Sequence, residues 1–256
     1  MIDINKAKKY FKKYVSNYDK KNVDVCFKTK HTFKVSNVSK KTAQYLGLDK
    51  ENVQLAELIG LLHDIGRFEQ IKQYATLSDL KSIDHGQLGV DILFKDNFIR
   101  NFIDTDKYDE IIKVAIFNHN KYAIQEGLGE LELLHCKIIR DADKTDIYRV
   151  LNKRNFTTYY AGVDFSRDKI SEDVFLEFMN RNQIKHQSKK TIADAALVNI
   201  AFIFDMNFKY GLVKIKRKKY LEKLAKKYNF TNEDTVKKMD EALKNVNEYI
   251  NQVLKK

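Results

Sequence analysis

Apolar residues recur along this chain at steps of three and four, the spacing that places them on one face of an α-helix. The first clear stretch starts near His31 and ends at Leu46, where Gly47 is a suitable C-cap. Asp49 follows as an N-cap for a second helix, from Lys50 to His63. That helix is apolar almost all the way round, which is typical of a central, buried helix.

The helical spacing continues to the end of the chain, and it includes no convincing strand hairpin. We expect Gly66 to end the second helix and residues 67–83 to be irregular. The last helix, from about Thr231 to Leu254, carries a coiled-coil-like apolar stripe that we interpret as packing on its own domain. Further helices are predicted at Gly86–Phe94, Asp109–His119, Glu130–Lys153, Ser171–Arg181 and Thr191–Tyr210.

These patterns predict an all-α protein. Proline is absent and only 9 glycines occur, which argues against an all-β sandwich and against a proline-rich linker. We expect a single domain over residues 1–256, with the catalytic part in roughly the first 150 residues and a helical extension over 151–256.

The 256 residues include 47 Lys+Arg and 35 Asp+Glu, a formal net charge of +12. We interpret most of this excess as lysines spread along solvated helix faces. One local excess lies between Lys209 and Lys227, where nine basic residues are accompanied by Glu222 as the only acid. This basic stretch makes nucleic acid an alternative partner.

Cysteine usage and apolar run length bear on the compartment. Cys26 and Cys136 are too few for a disulfide framework or a cysteine-based zinc site, so a reducing cytoplasm is the expected location. We expect no secretory signal and no membrane contact, because no apolar run reaches the length of a membrane span.

Imidazoles and carboxylates stand where a shared site could form. His63 and Asp64 lie side by side at the end of the apolar helix, where ionisable groups are costly unless they are paired or bind a metal. A divalent cation would remove this cost, because imidazole nitrogen and carboxylate oxygen are both good ligands. Four histidines lie 22 to 34 residues apart in succession, so separate helices must assemble a site from His31, His63, His85 and His119.

The predicted helix Glu130–Lys153 carries a candidate final ligand. Asp143 and Asp146 are three residues apart and share a face, whereas Asp141 points elsewhere because two residues turn a helix by about 200°. The three carboxylates therefore cannot all bind one ion. The pattern alone leaves open whether Asp143 or Asp141 is the ligand.

The order of these residues resembles the H…HD…D signature of the HD-domain metal-dependent phosphohydrolases, of the HDIG type. The resemblance covers residues 28–150. Its segments are His31-Thr32-Phe33-Lys34-Val35, Leu61-Leu62-His63-Asp64-Ile65-Gly66 and Ile138-Ile139-Arg140-Asp141-Ala142-Asp143-Lys144. Asp84-His85-Gly86 and Asn118-His119-Asn120 resemble the extra histidine segments of members with a fuller, sometimes two-metal, site.

The resemblance implies an HD-type helical bundle over residues 28–150, with additional C-terminal helices. It implies that His85 and His119 bind a second metal or the substrate phosphate. Two-metal members often carry a histidine at the position of Asn120, so we expect one divalent ion, with two as the alternative. The ion is open among Mn, Mg, Fe, Co, Ni and Zn. The implied metal ligands are His31, His63, Asp64 and Asp143.

The implied chemistry is hydrolysis of a phosphate ester. A divalent ion lowers the pKa of its bound water, and the resulting hydroxide attacks phosphorus in line. Asp64 would bind metal and orient that water, while His85 or His119 would donate to the phosphate or the leaving oxygen. Arg67 would clamp the phosphate, with Lys144 as a weaker candidate. Acceptors for the ligand histidines would come from Asp84, Asp141 and Asp146.

Two functions follow from these observations. The first is a metal-dependent phosphohydrolase that acts on a nucleotide or another small phosphorylated metabolite. The alternative is a non-catalytic HD-type module that binds nucleic acid or a nucleotide through its basic C-terminal region. The complete set of candidate ligands favours the enzyme, and the terminal stripe leaves a homodimer open.

Overall fold

The computed structural model describes residues 2–156 and 160–255. These ranges contain helices, turns and irregular segments but no strand, so the predicted all-α class is confirmed. The α-helices are α1 (Ile4–Val15), α2 (Val23–Tyr45), α3 (Lys50–Leu62), α4 (Ile65–Tyr74), α5 (His85–Phe94), α6 (Asp109–Asn118), α7 (Glu130–Lys153), α8 (Glu172–Met179), α9 (Ile192–Ala201), α10 (Lys209–Lys218), α11 (Tyr220–Tyr228) and α12 (Glu233–Lys255). Short 3₁₀ helices lie at Asp79–Lys81, Lys95–Asn101, His186–Ser188 and Phe202–Asp205.

The chain divides into two compact units, and the division falls between Asp146 and Ile147. Helix α7 crosses this point. Every candidate site residue lies in the first unit. The expectation of a single domain with an extension from residue 151 stays a prediction.

The ends of α2 and α3 follow from their capping residues. The Asn22 side chain accepts hydrogen bonds from the backbone of Asp24 and Val25 at the start of α2. Gly47 adopts a φ of 71° after this helix, as predicted for a C-cap. Asp49 accepts from the backbone nitrogen of Asn52 at 2.8 Å, which confirms the predicted start of α3.

Helix α3 is buried all round, and its closest partner is α2. The side chains of Leu55, Leu58 and Leu61 are 0% exposed. A Cβ atom at Gly60 would lie 2.8 Å from the Cα atom of Ser36, so glycine is required where the two helices cross. Because α3 is held in the interior, the residues at its C-terminal end, His63 and Asp64, are also held at a fixed position in the interior.

The prediction that Gly66 ends a helix and that residues 67–83 are irregular is wrong. Helix α3 ends at Leu62, and α4 begins at Ile65 with Gly66 in its first turn. Ile65, Phe68 and Ile71 recur every three residues and are buried, which explains the extra helix. Gly66 serves packing instead, because a Cβ atom there would contact the carbonyl oxygen of His85 and lie 2.7 Å from the backbone nitrogen of Gly89.

The second unit has its own apolar core, formed by α8–α12 and the end of α7. Helix α9 ends at Ala201, earlier than predicted, and the chain tightens there into a 3₁₀ turn. Met239, Val246 and Ile250 of α12 are buried in this core, which confirms that the terminal stripe packs on its own unit. The stripe therefore gives no separate support for a dimer.

The basic stretch Lys209–Lys227 forms α10 and α11. Most of their apolar side chains are buried in the core of the second unit, with Val213 exposed, and the basic side chains are mostly exposed as well. Within the described ranges, none of the helices is both long enough and apolar enough to cross a bilayer. Cys26 and Cys136 are both free thiols.

Replacing Gly66 by alanine should destabilise the protein by about 1–2 kcal/mol. Helix propensity favours alanine by about 1 kcal/mol, but overpacking costs about 1–3 kcal/mol, and the backbone of α5 cannot move aside as a flexible side chain would. Urea unfolding of Gly66→Ala measures the change. Gly129→Ala is the control, because its Cβ would meet its nearest neighbour at 3.5 Å. Equal stability of the two variants would contradict the close approach of α4 and α5.

Candidate metal centre

Most of the candidate side chains lie at the ends of helices. His63 is the C-cap residue of α3, and Asp64 follows it in a non-helical conformation, with φ −102° and ψ 16°. His85 is the first residue of α5, and His119 is the C-cap residue of α6. His31 lies within α2 on its buried face, and its side chain is 3% exposed.

One half of the candidate centre surrounds the Oδ2 atom of Asp64. This oxygen lies 3.5 Å from Nε2 of His31 and 3.3 Å from Nε2 of His63. Oδ1 of Asp143 lies 3.0 Å from the same atom of His31 and 3.8 Å from that of His63. Two imidazoles and two carboxylates thus face one another.

The other half surrounds the second carboxylate oxygen of Asp64. Its Oδ1 atom lies 3.5 Å from Nε2 of His85 and 3.8 Å from Nε2 of His119. The two imidazole Nε2 atoms are 2.9 Å apart. Within each half, the ligand atoms of Asp64 and its two histidines lie within 4.8 Å of one another, so either group could hold a metal ion.

All four imidazoles are oriented by an acceptor at Nδ1. Two of the acceptors are carboxylates, and two are backbone carbonyl groups three residues earlier in the chain. The four Nδ1 distances are 2.8 Å from His31 to Asp146 Oδ2, 2.6 Å from His85 to Asp79 Oδ2, 2.9 Å from His63 to Gly60 O, and 2.5 Å from His119 to Ile116 O. An Nδ1–H group that donates in this way turns the Nε2 lone pair of a neutral imidazole toward the cluster, as in histidines that bind metals.

The donor set fits a divalent cation. Nε2 of His63 is buried and has no hydrogen-bond partner. Neutral His85 and His119 would direct two lone pairs at each other across 2.9 Å. A buried polar atom without a partner is unfavourable, and a cation in either half would satisfy the imidazole nitrogens of that half. Nitrogen and carboxylate donors suit Zn²⁺ and several other first-row ions.

The charges in the cluster favour ionised carboxylates. Burial raises the pKa of the Asp64 carboxyl, but the nearby Lys28 ammonium and the His63 imidazole outweigh burial and hold this pKa well below its usual range. Burial opposes ionisation of Asp143 too, but its hydrogen bond with His31 lowers the pKa of this carboxyl. Both acids are therefore available as anionic ligands at neutral pH.

The imidazoles differ from one another in protonation. Burial and the charge of Arg67 lower the pKa of His85 to about 3, and burial also lowers the pKa of His119. Burial lowers the pKa of His31 as well, but hydrogen bonds with Asp143 and Asp146 outweigh it and raise this pKa to about 9. Without a metal, His31 is thus protonated at neutral pH, whereas His85 and His119 are neutral.

Arg67 lies beside the cluster, where it anchors the loop that precedes α5. Its Nη1 atom donates to the carbonyl oxygen of Leu77 at 2.6 Å and to Asp79 Oδ1 at 2.7 Å. Gln70 supports the same loop, since its amide donates to Asp79 at 2.9 Å. Arg67 therefore positions the carboxylate that orients His85, and its predicted contact with the substrate phosphate stays a prediction.

The remaining predicted residues lie on α7 or at the start of α5. Asp141 and Lys144 are buried, and the role of Lys144 in substrate binding stays a prediction. Asp143 presents an oxygen to the cluster. Asp84 caps α5 and accepts from the amide of Asn120, so the structure gives it a capping contact.

Sequence reasoning missed three residues that hold the cluster. Asp79 orients His85 from a loop that gave no periodic signal. Arg140 is 1% exposed and donates to the carbonyl oxygens of Asn118 and Lys121, which fixes the end of α6 around His119. Lys28 lies one turn before His31 on α2, and its Nζ atom is 2.7 Å from Asp64 Oδ2. Only Lys28 had a usable signal, namely its three-residue spacing from a candidate ligand.

Metal binding should release about one proton at pH 7.5, because His31 must lose its Nε2 proton to become a ligand. Calorimetric titration with Mn²⁺ in buffers of different ionisation enthalpy measures this number. Asp146→Asn should reduce it, since the variant removes a hydrogen bond that raises the pKa of His31. Proton release that is unchanged in Asp146→Asn would contradict the assignment.

The same pKa predicts how the stability of the metal-free protein depends on pH. A histidine whose pKa rises on folding stabilises the protein fully below its unfolded pKa of about 6.5. This contribution is lost as the pH rises through the folded value of about 9. Urea unfolding between pH 6 and pH 10 should therefore show falling stability, and the fall should be smaller in His31→Gln.

Comparison with known protein families agrees with this geometry. The HD domain matches residues 29–148, a range that includes both halves of the cluster. Comparisons with curated proteins and with solved structures gave no match. The all-α fold and the convergence of His31, His63, Asp64 and Asp143 agree with this match, and residues 29–148, just under half of the chain, are similar to the HD-domain family.

Proposed function

We propose that the protein is a metal-dependent phosphohydrolase. Its proposed metal ligands are the six side chains of the cluster, namely His31, His63, Asp64, His85, His119 and Asp143. The observation that carries this proposal is the set of four buried imidazoles whose Nε2 atoms face two carboxylates, with Nε2 of His63 left without a partner. A purely structural network would pair these atoms with one another. The family is generally one of metal-dependent phosphohydrolases, which supports the same activity.

We propose further that two ions bind, with Asp64 shared between them. Its two oxygens face different pairs of histidines, and Asp143 belongs to the half that contains His31 and His63. The sequence favoured one ion because Asn120 stands where a histidine often occurs. In the structure the Asn120 amide donates to Asp79 and Asp84, so this position does not supply the atoms that face Asp64.

A bound divalent ion would supply Lewis acidity toward a phosphoryl oxygen and would lower the pKa of a water molecule. The protein itself positions the metal ligands and shields them from solvent. His63 and Asp64 are at most 2% exposed, whereas the Asp143 side chain is 17% exposed. We infer that substrate approaches from the side of Asp143.

His85 and His119 are better suited to bind metal than to donate a proton. Their Nδ1–H groups are engaged by Asp79 and by a backbone carbonyl, and the lowered pKa values leave both rings neutral. The Nε2 atom of each ring therefore presents a lone pair to the cluster. This favours ligation over the alternative of acid catalysis by these two residues.

The substrate that we propose is a nucleotide or another small phosphorylated metabolite. Cationic side chains adjoin the anionic ligands, as a site for a phosphate group requires. The alternative, nucleic acid binding through Lys209–Lys227, rests on exposed lysines alone. Salt-dependent polynucleotide binding without turnover, retained when Asp64 is replaced, would favour that alternative.

Metal stoichiometry tests the ligand set. The purified protein, stripped and reloaded with Mn²⁺, should bind two ions, as measured by calorimetry and by elemental analysis. His63→Ala and His119→Ala should each lose one ion, because they remove a ligand from different halves. Asp64→Asn should weaken both sites, since this carboxylate faces both halves. Retention of two tight sites in Asp64→Asn would contradict the shared carboxylate.

Turnover tests the activity. Phosphate release from a panel of nucleotides and phosphorylated metabolites should require a divalent ion, with Mn²⁺, Mg²⁺, Co²⁺, Fe²⁺, Ni²⁺ and Zn²⁺ tried in turn. Asp64→Asn should lower kcat by at least about 10³-fold, because the metal chemistry depends on this ligand. Asp91→Asn is the matched control, since Asp91 is an exposed acid on α5. A fully metal-loaded protein that releases no phosphate from any compound would refute the proposal.

A further inference from the structure

Lys28 is a cation at the edge of the metal cluster, and it is not one of the proposed metal ligands. It lies on α2 one turn before His31, so the two side chains share a face of the helix. Its Nζ atom lies 2.7 Å from Oδ2 of Asp64, and its side chain is 12% exposed. The ammonium thus reaches the buried carboxylate from a position that solvent also reaches.

The other cations near the cluster have acidic partners outside it. Arg67 pairs with Asp79 at 2.7 Å, and Lys121 pairs with Asp84. In the described part of the chain, the acidic partner of Lys28 is Asp64 itself. The Nε atom of Arg67 also lies 3.6 Å from Oδ1 of Asp64, which is beyond hydrogen-bond distance. Lys28 is therefore the one of these three cations that donates a hydrogen bond to a proposed metal ligand.

The charge balance changes when metal is bound. A carboxylate that binds a divalent cation no longer needs an ammonium group to neutralise it. A largely buried ammonium beside metal cations is unfavourable unless another anion is present. Lys28 has three N–H donors, and Oδ2 of Asp64 can accept only one of them well. The structure thus leaves a positive charge and free donors at the edge of the cluster.

We propose that the Lys28 ammonium forms a phosphate-binding subsite beside the metal centre. It would donate to an oxygen of the substrate phosphate, whose negative charge restores the charge balance when metal is bound. The ligand class is a phosphate-bearing anion. This inference rests on the proposed function, because it assumes that metal occupies the adjacent cluster.

A purely structural ion pair is the competing explanation. If Lys28 only neutralises Asp64, its removal should destabilise the metal-free protein and leave anion binding to the metal-loaded protein unchanged. If Lys28 binds phosphate, its removal should weaken anion binding while Mn²⁺ still binds. Mn²⁺ should then bind at least as tightly as in the unaltered protein, since the competing ammonium is gone.

The experiment measures binding of inorganic phosphate to the Mn²⁺-loaded protein by calorimetry, with Mn²⁺ binding measured separately for each variant. Lys28→Met should weaken phosphate binding by about 10- to 100-fold, the loss expected for a charge-assisted hydrogen bond. Lys28→Arg should retain part of the affinity. Lys30→Met is the matched control, because Lys30 is an exposed lysine on the same helix, and it should change the affinity less than about twofold.

Three results would overturn the proposal. These are equal phosphate affinity in Lys28→Met and the unaltered protein, equal losses in Lys28→Met and Lys30→Met, and no phosphate binding by the metal-loaded, unaltered protein. If Lys28→Met does not fold, Lys28→Gln gives the same test with a polar side chain that lacks the charge. Failure of the proposed function is distinguishable, because it would appear as absent Mn²⁺ binding or absent turnover in the unaltered protein.

Discussion

The arrangement of this site depends on the position of one buried carboxylate, that of Asp64. Asp64 has both oxygens in use, each facing a different pair of imidazoles. An anion that is 2% exposed needs compensating positive charge, and Lys28 together with protonated His31 supplies it when no metal is bound. The same charges would have to rearrange if a divalent ion bound, which would couple protonation of the cluster to metal binding.

Packing away from the cluster holds the carboxylate in place. Helix α3 is buried on every side, and the absence of a side chain at Gly66 lets α4 approach α5 closely enough to bring His85 toward Asp64. Arg140 performs a similar task at the end of α6, where its guanidinium satisfies carbonyl groups that the helix leaves open. A small number of close approaches thus determines the relative positions of four helix ends.

Much of this could be predicted from the sequence, because the helical periodicity and the caps Gly47 and Asp49 are local signals. The spacing of Asp143 and Asp146 likewise places both acids on one face of α7, where the structure has them. Helix α4 was missed because a glycine after His63-Asp64 suggested an end, whereas its role is a tertiary contact. Asp79 was missed because a loop acid has no periodicity, and its pairing with His85 depends on how Arg67 and Gln70 fold the loop back.

The groups that accept hydrogen bonds from Nδ1 of the imidazoles are divided evenly between the two halves of the cluster. The carboxylate ligands are not. Each half has one ring oriented by an acid and one oriented by a backbone carbonyl. Asp143, however, faces only the half that contains His31 and His63. That half would retain its ion more firmly, and the other would empty first under metal scarcity. In the proposed two-ion site, molecules loaded in one half only would then accumulate, and the free metal concentration would set the fraction loaded in both halves.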